Sequence, residues 1–157
     1  MFTIDELPDS PYNTSDVVEL LEEMDDFFSP PLTERVRMES GLPSLEAYVD
    51  KILTLGHVLI HFDEKEVHGV TLFYANDQKQ KNAYIAMLAV KQGFHNQGIA
   101  KKMVIKAIEI IKKEGMQTIS LKTWKENTIA VALYEKIGFV VKEVDEKNIK
   151  MQYTFPS

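Results

Sequence analysis

The chain contains no cysteine, which excludes disulfide bonds, thiolate metal sites and a cysteine nucleophile. Its four histidines do not show the ligand spacing of a zinc site. His57 and His61 are four positions apart, but "HVLIH" has the composition of a β-strand, in which alternate residues share a face. We therefore expect no metal ion in this protein.

The chain also lacks a long apolar run, a basic N-terminus and an excess of positive charge. No segment reaches the roughly 20 apolar residues of a membrane span, and "MFTIDELPDSP" has neither the charge nor the apolar run of a signal peptide. The net charge of −6 provides no broad basic face for nucleic acid. We expect a cytoplasmic protein without a membrane or nucleic-acid partner, present as a monomer or homodimer.

What the chain does contain is enough apolar sequence for one domain. Of its 157 residues 45% are hydrophobic, and no internal repeat divides them, so residues 1–157 are predicted to form a single domain. Helical periodicity predicts a first helix over 14–28, capped by Thr14 or Ser15 and ended by "SPPL", and a second between Ser44 and Gly56. Further strands are predicted at 57–62, 66–75, 83–90, 117–123, 139–144 and 148–155, and further helices at 98–114 and 127–137.

This order, ααβββαβαββ with room for a short strand in residues 1–7, predicts an α/β (α+β) fold. Consecutive strands joined by short polar turns form hairpins, so the central sheet should be largely antiparallel and flanked by helices.

The most informative stretch is "LAVKQGFHNQGIAKKMV", residues 88–104, where a strand pattern meets a helix pattern across two glycines. A nucleotide-hydrolysing P-loop is excluded, because Ile99 and Ala100 stand where lysine and a hydroxyl residue are required. A dinucleotide fingerprint is excluded by the glycine spacing. Two interpretations remain from the residues alone: a plain strand-to-helix turn, and a turn whose successive amides from Asn96 to Lys101 wrap a pyrophosphate.

Two motifs resemble the signatures of the GNAT superfamily of N-acetyltransferases. "LAVKQGFHNQGIAKKM" is similar to its acyl-CoA signature, [Q/R]-x-x-G-x-[G/A], which follows a strand ending L-x-V. "NTIAVALYEKIGFV" is similar to the second signature, N-x-x-A-x-x-L-Y-x-x-x-G-F. The matching residues are Leu88, Val90, Gly98, Ala100, Asn127, Ala130, Leu133, Tyr134, Gly138 and Phe139.

The resemblance implies an enzyme that uses acetyl-CoA as cosubstrate and no metal. The backbone amide near Leu88 would polarise the thioester carbonyl, beside the point where strand 83–90 parts from strand 117–123. Tyr134 would protonate the leaving thiolate, a task that suits a phenol with a pKa of about 10. The residues implied to bind the cofactor are Leu88, Ala89, Val90, His95, Asn96, Gln97, Gly98, Ile99, Ala100, Lys101, Asn127 and Tyr134.

Two positions depart from the family pattern. His95 stands where arginine or glutamine is usual, and it lacks the reach and the permanent charge of a guanidinium. The predicted strand "NAYIAMLAV" also lacks the glutamate that often serves as general base. Tyr84, Tyr74, His68 or a chain of waters are the candidates to take the proton of the acceptor.

The function implied is transfer of an acetyl group to the primary amine of a small molecule by direct attack. An amino sugar is one candidate, because "FSPPLTERV" resembles a segment of GNAT members found among surface-polysaccharide enzymes. The alternatives are acetylation of a protein N-terminus or lysine, and a non-catalytic module that binds acyl-CoA.

Overall fold

The computed structural model describes residues 2–25, 28, 31–95 and 97–156. A short strand, β1 (Thr3–Glu6), precedes three helices: α1 (Thr14–Glu23), α2 (Leu32–Ser40) and α3 (Leu45–Leu55). Three strands follow: β2 (His57–Phe62), β3 (Val67–Tyr74) and β4 (Asn82–Val90). The rest of the chain forms α4 (Ile99–Lys113), β5 (Thr118–Trp124), α5 (Thr128–Ile137), β6 (Val140–Val144) and β7 (Asn148–Thr154).

The seven strands form one sheet in the order β1-β2-β3-β4-β5-β7-β6. Every neighbouring pair of described strands is antiparallel except β4 and β5, which are parallel. The predicted fold class, a mixed fold with a largely antiparallel sheet, is therefore confirmed, as is the short strand within residues 1–7.

Two apolar clusters hold the helices to this sheet, and the strand alternation of β2 shows how they divide it. Val58 and Ile60 pack with α1, α2 and α3, whereas Leu59 between them packs with residues of α4 and α5. Because alternate strand residues point to opposite faces, the sheet separates these two sets of apolar side chains. No helix in the described part of the chain is long and apolar enough to cross a membrane.

The N-terminal helices differ from their prediction in two respects. The first helix ends at Glu23, with Asn13 as N-cap in a reciprocal pair with Asp16, rather than running from a Thr14 or Ser15 cap to 28. The helix α2 was not predicted at all. The "SPPL" break falls partly on Ser29 and Pro30, which lie outside the described residues. The predicted boundaries of the other helix in this region were right, since Ser44 Oγ accepts from Ala47 N–H and α3 ends before Gly56.

The feature that positions the site is an opening between β4 and β5. Their pairing begins at Asn82↔Thr118 and ends at Ile85↔Leu121, although β4 continues to Val90 and β5 to Trp124. At the same point the register of β4 with β3 shifts, so that Ala86 has no partner in β3. A bulge of this kind bends its strand, and beyond it the two central strands leave a gap in the sheet.

Candidate active site

The edge of β4 that faces this gap carries unpaired backbone groups. Lys91 N–H donates to His68 O of β3 at 2.6 Å, and Thr71 Oγ1 donates to Met87 O at 2.8 Å. Because the direction of backbone groups alternates along an antiparallel strand, the N–H and C=O of Leu88 and Val90 must point away from β3. They therefore point into the gap. The N–H groups of both residues and the C=O of Leu88 are open there to an incoming thioester and its amide arm, whereas Val90 O accepts from His95.

The N-terminus of α4 borders the same gap. Gly98 precedes the helix with φ +75, a left-handed conformation that favours glycine. The first intrahelical bond runs from Lys102 N–H to Gly98 O at 3.1 Å, and no side chain caps the helix. The amides of Ile99, Ala100 and Lys101 consequently have no partner within the helix, and the helix dipole adds positive character to them.

A cleft of about 700 Å³ connects these two features. We call it the cofactor cleft. One wall comes from β4 and the start of α4, and the other from the end of β5 and from α5. Ile129 on that second wall is 85% exposed, the highest value among the large apolar side chains that the structure describes. The described lining residues of the cofactor cleft are Met24, Phe28, Arg35, Leu88, Ala89, Val90, Phe94, His95, Gly98, Ile99, Ala100, Lys101, Thr123, Trp124, Glu126, Asn127, Ile129, Ala130 and Leu133.

Most of the predicted cofactor residues line this cleft, with three exceptions. Gln97 is exposed, and its side chain reaches Gly93 O at 3.5 Å instead. Tyr134 lines an adjoining chamber, described below. Asn96 lies outside the described residues. Three further apolar residues that line the cleft, Phe94, Trp124 and Ile129, had no recognisable pattern in the sequence.

His95 lines the cleft, but its ring is engaged with the protein's own backbone. Its Nε2 donates to Val90 O at 2.8 Å. This bond ties the loop after β4 to the end of that strand and occupies a carbonyl that faces the gap. In this conformation the imidazole is hydrogen-bonded to the end of β4. The donors left for an anion are therefore the backbone amides at the start of α4.

A chamber of about 100 Å³ lies where the two strands part. We call it the inner chamber. Leu88 lines it from β4, Tyr134 and Asn127 from α5, and Arg35 and Glu39 from α2. Asn127 also caps α5, since its Oδ1 accepts from Ala130 N–H at 3.2 Å. The Tyr134 side chain is 6% exposed, and burial raises the pKa of its hydroxyl above the ordinary value. The chamber therefore contains a backbone donor, a protonated phenol and a carboxylate.

On the far side of the inner chamber a second cleft of about 780 Å³ opens to solvent. We call it the acceptor cleft. It lies between α2, α3 and the segment that joins β6 to β7. Its described lining residues are Glu34, Arg35, Met38, Glu39, Ser40, Tyr48, Lys51, Tyr74, Tyr84, Ala86, Lys122, Trp124, Lys147 and Asn148.

The three cavities adjoin one another at the gap in the sheet. Leu88, Thr123, Asn127 and Ala130 line both the cofactor cleft and the inner chamber. Glu39, Tyr48, Ala86 and Lys122 line both the inner chamber and the acceptor cleft. Two ligands that enter from opposite mouths would thus meet at Leu88 and Tyr134.

Of the three side chains predicted as candidates for the general base, the structure places the two tyrosines in one cleft and His68 elsewhere. Tyr84 and Tyr74 line the acceptor cleft, and burial raises the pKa of both hydroxyls. A phenol with a raised pKa remains protonated at neutral pH and is a poor proton acceptor. The carboxylate of Glu39, on the unpredicted helix α2, is the better placed group, because it lines the inner chamber itself.

His68 lies in a different place and has a structural role. It is fully buried, its Nδ1 is 3.1 Å from His61 Nδ1, and its Nε2 is 3.1 Å from Asp63 Oδ2 in a poorly aligned contact. The ring of Phe94 stacks on it with centroids 4.3 Å apart. Since Phe94 belongs to the loop between β4 and α4, the buried histidine pair supports that loop from beneath and contacts none of the three cavities.

The described residues contain no group of three or more His, Cys, Asp or Glu side chains that could hold a metal ion. The donors of this site are backbone amides, a phenol and a carboxylate, which suit an organic anion and a proton transfer rather than metal ligation.

Comparison with known proteins agrees with the geometry. The model of the "Acetyltransferase (GNAT) family" matches residues 18–139. N-alpha-acetyltransferase 30 of Schizosaccharomyces pombe is 41% identical over 56 residues, which are 36% of this chain and 37% of that protein, so the chain spans little more than a third of this relative. Two solved structures share the fold over 99% of both chains, each with a TM-score of 0.74. They are the PaiA N-acetyltransferase of Thermoplasma acidophilum with coenzyme A (18% identity) and the NatC complex bound to Gag peptide and CoA (23% identity).

Proposed function

Because this chain belongs to the GNAT family of acetyltransferases, we propose that it transfers an acetyl group from acetyl-CoA to a primary amine. The observation that carries the proposal is the row of three adjoining cavities at the gap in the sheet. The cofactor cleft offers unpaired helix amides for a pyrophosphate, and the acceptor cleft is open to an amine. Leu88 and Tyr134 line the inner chamber between these two clefts.

The residues of the cofactor cleft fit the chemistry of acetyl-CoA. The free amides of Ile99, Ala100 and Lys101 suit its pyrophosphate, and the outward groups of Leu88 with the N–H of Val90 suit the amides of its pantetheine arm. The exposed apolar surface of Ile129 would be covered by the bound cofactor. Acetyl-CoA supplies the activated acyl group as a thioester.

Within this proposal four residues that line the inner chamber have a defined task. The Leu88 N–H donates to the thioester carbonyl oxygen, where negative charge develops as the amine attacks. Glu39 accepts the proton that the acceptor ammonium must lose before attack. Tyr134 gives its proton to the departing sulfur. Asn127 caps α5 and so fixes the helix that carries this tyrosine.

The acceptor class follows from the acceptor cleft and from the relatives. A cleft of about 780 Å³ holds a small amine such as an amino sugar, and it also holds the first residues of a peptide. The relatives named N-alpha-acetyltransferase favour the peptide N-terminus as the second candidate. The test is release of free CoA thiol from acetyl-CoA with a panel of amino sugars, amino acids, unblocked peptides, and lysine peptides with blocked N-termini. Binding of acetyl-CoA without thiol release across the whole panel would refute transfer and favour the non-catalytic module.

Substitution of Gly98 tests the phosphate-binding role of the α4 N-terminus. Gly98→Ala should raise KM for acetyl-CoA about tenfold with little change in kcat, because a methyl group would project where a phosphate approaches the backbone. Gly93→Ala is the matched control. Both glycines have positive φ (+75 and +94), and a Cβ on either meets no atom within 4 Å, but only Gly98 lines the cofactor cleft.

Both substitutions should cost stability by roughly 1 kcal/mol, since each places an L-residue in the left-handed region. Thermal unfolding measures that shared cost, and steady-state kinetics measures the difference. An equal rise in KM in the two variants would show that loop strain, and not phosphate contact, limits cofactor binding.

A further inference from the structure

The acceptor cleft has a charge opposite to that of the protein. The chain as a whole carries a net charge of −6. The described lining of this cleft nevertheless contains four cationic side chains and two carboxylates. The cations come from four separate elements: Arg35 from α2, Lys51 from α3, Lys122 from β5 and Lys147 from the turn before β7. Such a local reversal of charge attracts anions to the mouth.

These four cations have no carboxylate within 4 Å among the described residues. Other lysines in the same part of the chain are paired, such as Lys91 with Glu23 and Glu66, and Lys106 with Glu109. The positive charge of the acceptor cleft is therefore available to a ligand.

Arg35 has the most informative position of the four. It is partly buried and lines the cofactor cleft, the inner chamber and the acceptor cleft. Its guanidinium lies 5.8 Å from the ring centroid of Phe28, which leaves its donors unused by that contact. A guanidinium presents paired donors that match a carboxylate in two parallel hydrogen bonds.

Glu39 follows Arg35 by one turn of α2, so the two side chains share a face of the helix. Both charges lie near the same two phenols. Burial is the main cause of the raised pKa of Tyr48 and of Tyr84, and the charge of Glu39 raises both pKa values further while that of Arg35 lowers them. A negative and a positive group thus lie side by side at the inner end of the acceptor cleft, which is the pattern complementary to an ammonium and a carboxylate in one ligand.

We propose that the acceptor carries a carboxylate close to its reacting amine, with Arg35 binding the carboxylate while Glu39 faces the ammonium. Lys51, Lys122 and Lys147 attract further negative charge at the outer mouth. The inference rests on the proposed acetyl transfer and specifies its acceptor. The same chemistry is offered by a free amino acid and by a peptide whose first or second residue is acidic.

The test compares acceptors that differ in this charge, with kcat/KM referred to the unprotonated amine, because a neighbouring carboxylate also raises the pKa of the amine. For peptides, the pair is Ala-Asp-Gly-Gly amide and its uncharged isostere Ala-Asn-Gly-Gly amide. For small molecules, the pair is glycine and glycinamide. The charged member of at least one pair should show about tenfold higher kcat/KM in the thiol-release assay, and the pair that responds identifies the source of the carboxylate. The preference should shrink as salt is added, because the outer lysines are exposed.

Arg35→Gln should reduce the ratio within the responding pair to about one, with KM for acetyl-CoA changed less than twofold. Arg37→Gln is the matched control, since Arg37 lies on the same helix, is exposed and lines none of the three cavities. A fall in cofactor affinity with an unchanged acceptor ratio would assign Arg35 to acetyl-CoA and overturn the inference. Ratios below about two in both pairs of the wild-type protein would overturn it without any variant.

Failure of the proposed function gives a different result. If no acceptor releases thiol, acetyl transfer is refuted, and calorimetric titration of the two peptides into the protein with CoA still measures the preference directly. Tighter binding of the Asp peptide that is lost in Arg35→Gln supports the anion site, and equal binding of the two peptides overturns it.

Discussion

Tyr134→Phe is expected to lower kcat for acetyl transfer by about 10²-fold while leaving KM for acetyl-CoA nearly unchanged. Removal of a general acid typically costs 10²–10⁴ in rate. The lower end applies here, because a thiolate, whose conjugate acid has an ordinary pKa of about 8.5, leaves more readily than an alkoxide or amide. The loss falls on kcat because the hydroxyl acts on the sulfur as charge develops there, and the phosphate contacts of α4 remain intact.

Tyr153→Phe is the matched control for this substitution. Tyr153 belongs to the same aromatic cluster, since its ring packs on Phe139 at 5.5 Å and Phe139 packs on Tyr134 at 5.6 Å. It lines none of the three cavities. A kcat of Tyr134→Phe within twofold of wild type, or an equal loss in both variants, would remove Tyr134 as the acid.

The pH profile provides a second check on Tyr134. Burial raises the pKa of its hydroxyl above the ordinary value of 10.0. A phenol is neutral when protonated, so a raised pKa keeps the proton-donating form present to higher pH. Loss of kcat on the alkaline side should therefore begin above pH 10 in the wild-type protein. An alkaline decline centred below that value would have to come from another group.

The parts of the site that were predictable from sequence have local signals. A helix pattern beginning at Gly98 after a strand pattern ending at Val90 predicts where the unpaired N-terminal amides of a helix lie, and the structure has α4 starting at Ile99. Asn127 and Gly138 likewise predict the two ends of a helix, and α5 lies between them. Caps, glycines and apolar periods act within a few residues, so the chain sequence contains them.

The helix α2 was missed because its core contact is small. Only Leu32 and Val36 of its nine residues are buried, which is too few to produce a helical period. The residues that mark the ends of this helix are Pro31, directly before its first residue, and Gly41, directly after its last, which has φ +74. Because α2 was not predicted, Arg35 and Glu39 were missed as well. The sequence analysis therefore identified neither the carboxylate of the inner chamber nor the cation beside it.

The gap between β4 and β5 was inferred only from resemblance to a family, because it depends on distant parts of the chain. It exists where pairing with β5 stops after Ile85 and where Ala86 is bulged against β3. The bond from His95 to Val90 O is of the same kind, since it depends on how the loop folds back and not on residue type. At such a junction, the direction of a residue's backbone groups and their hydrogen-bond partners depend on how the sheet is assembled.

Glu39→Gln is expected to lower kcat/KM at pH 7 by about 10²-fold and to recover as the pH rises. Without a base at the inner chamber, only acceptor that is already unprotonated in solution can react. Below the pKa of the amine that fraction grows tenfold with each pH unit, so the ratio of wild-type to variant activity should fall with the same slope. The measurement is kcat/KM for the best acceptor from pH 6.5 to 10.5 in both proteins.

Glu34→Gln provides the control, since Glu34 lies on the same helix and lines the acceptor cleft but not the inner chamber. Its substitution should cause a small loss that does not depend on pH. The pH at which the Glu39→Gln deficit stops shrinking also reports the class of amine. A peptide α-amine has a pKa of about 8 and a lysine-type alkyl amine one of about 10.4. A deficit that levels off near pH 8 thus supports a peptide N-terminus, and one that shrinks beyond pH 10 supports an alkyl amine. One that levels off between these values supports a free amino acid, whose own carboxylate raises the pKa of its amine. A deficit that is constant with pH excludes Glu39 as the base.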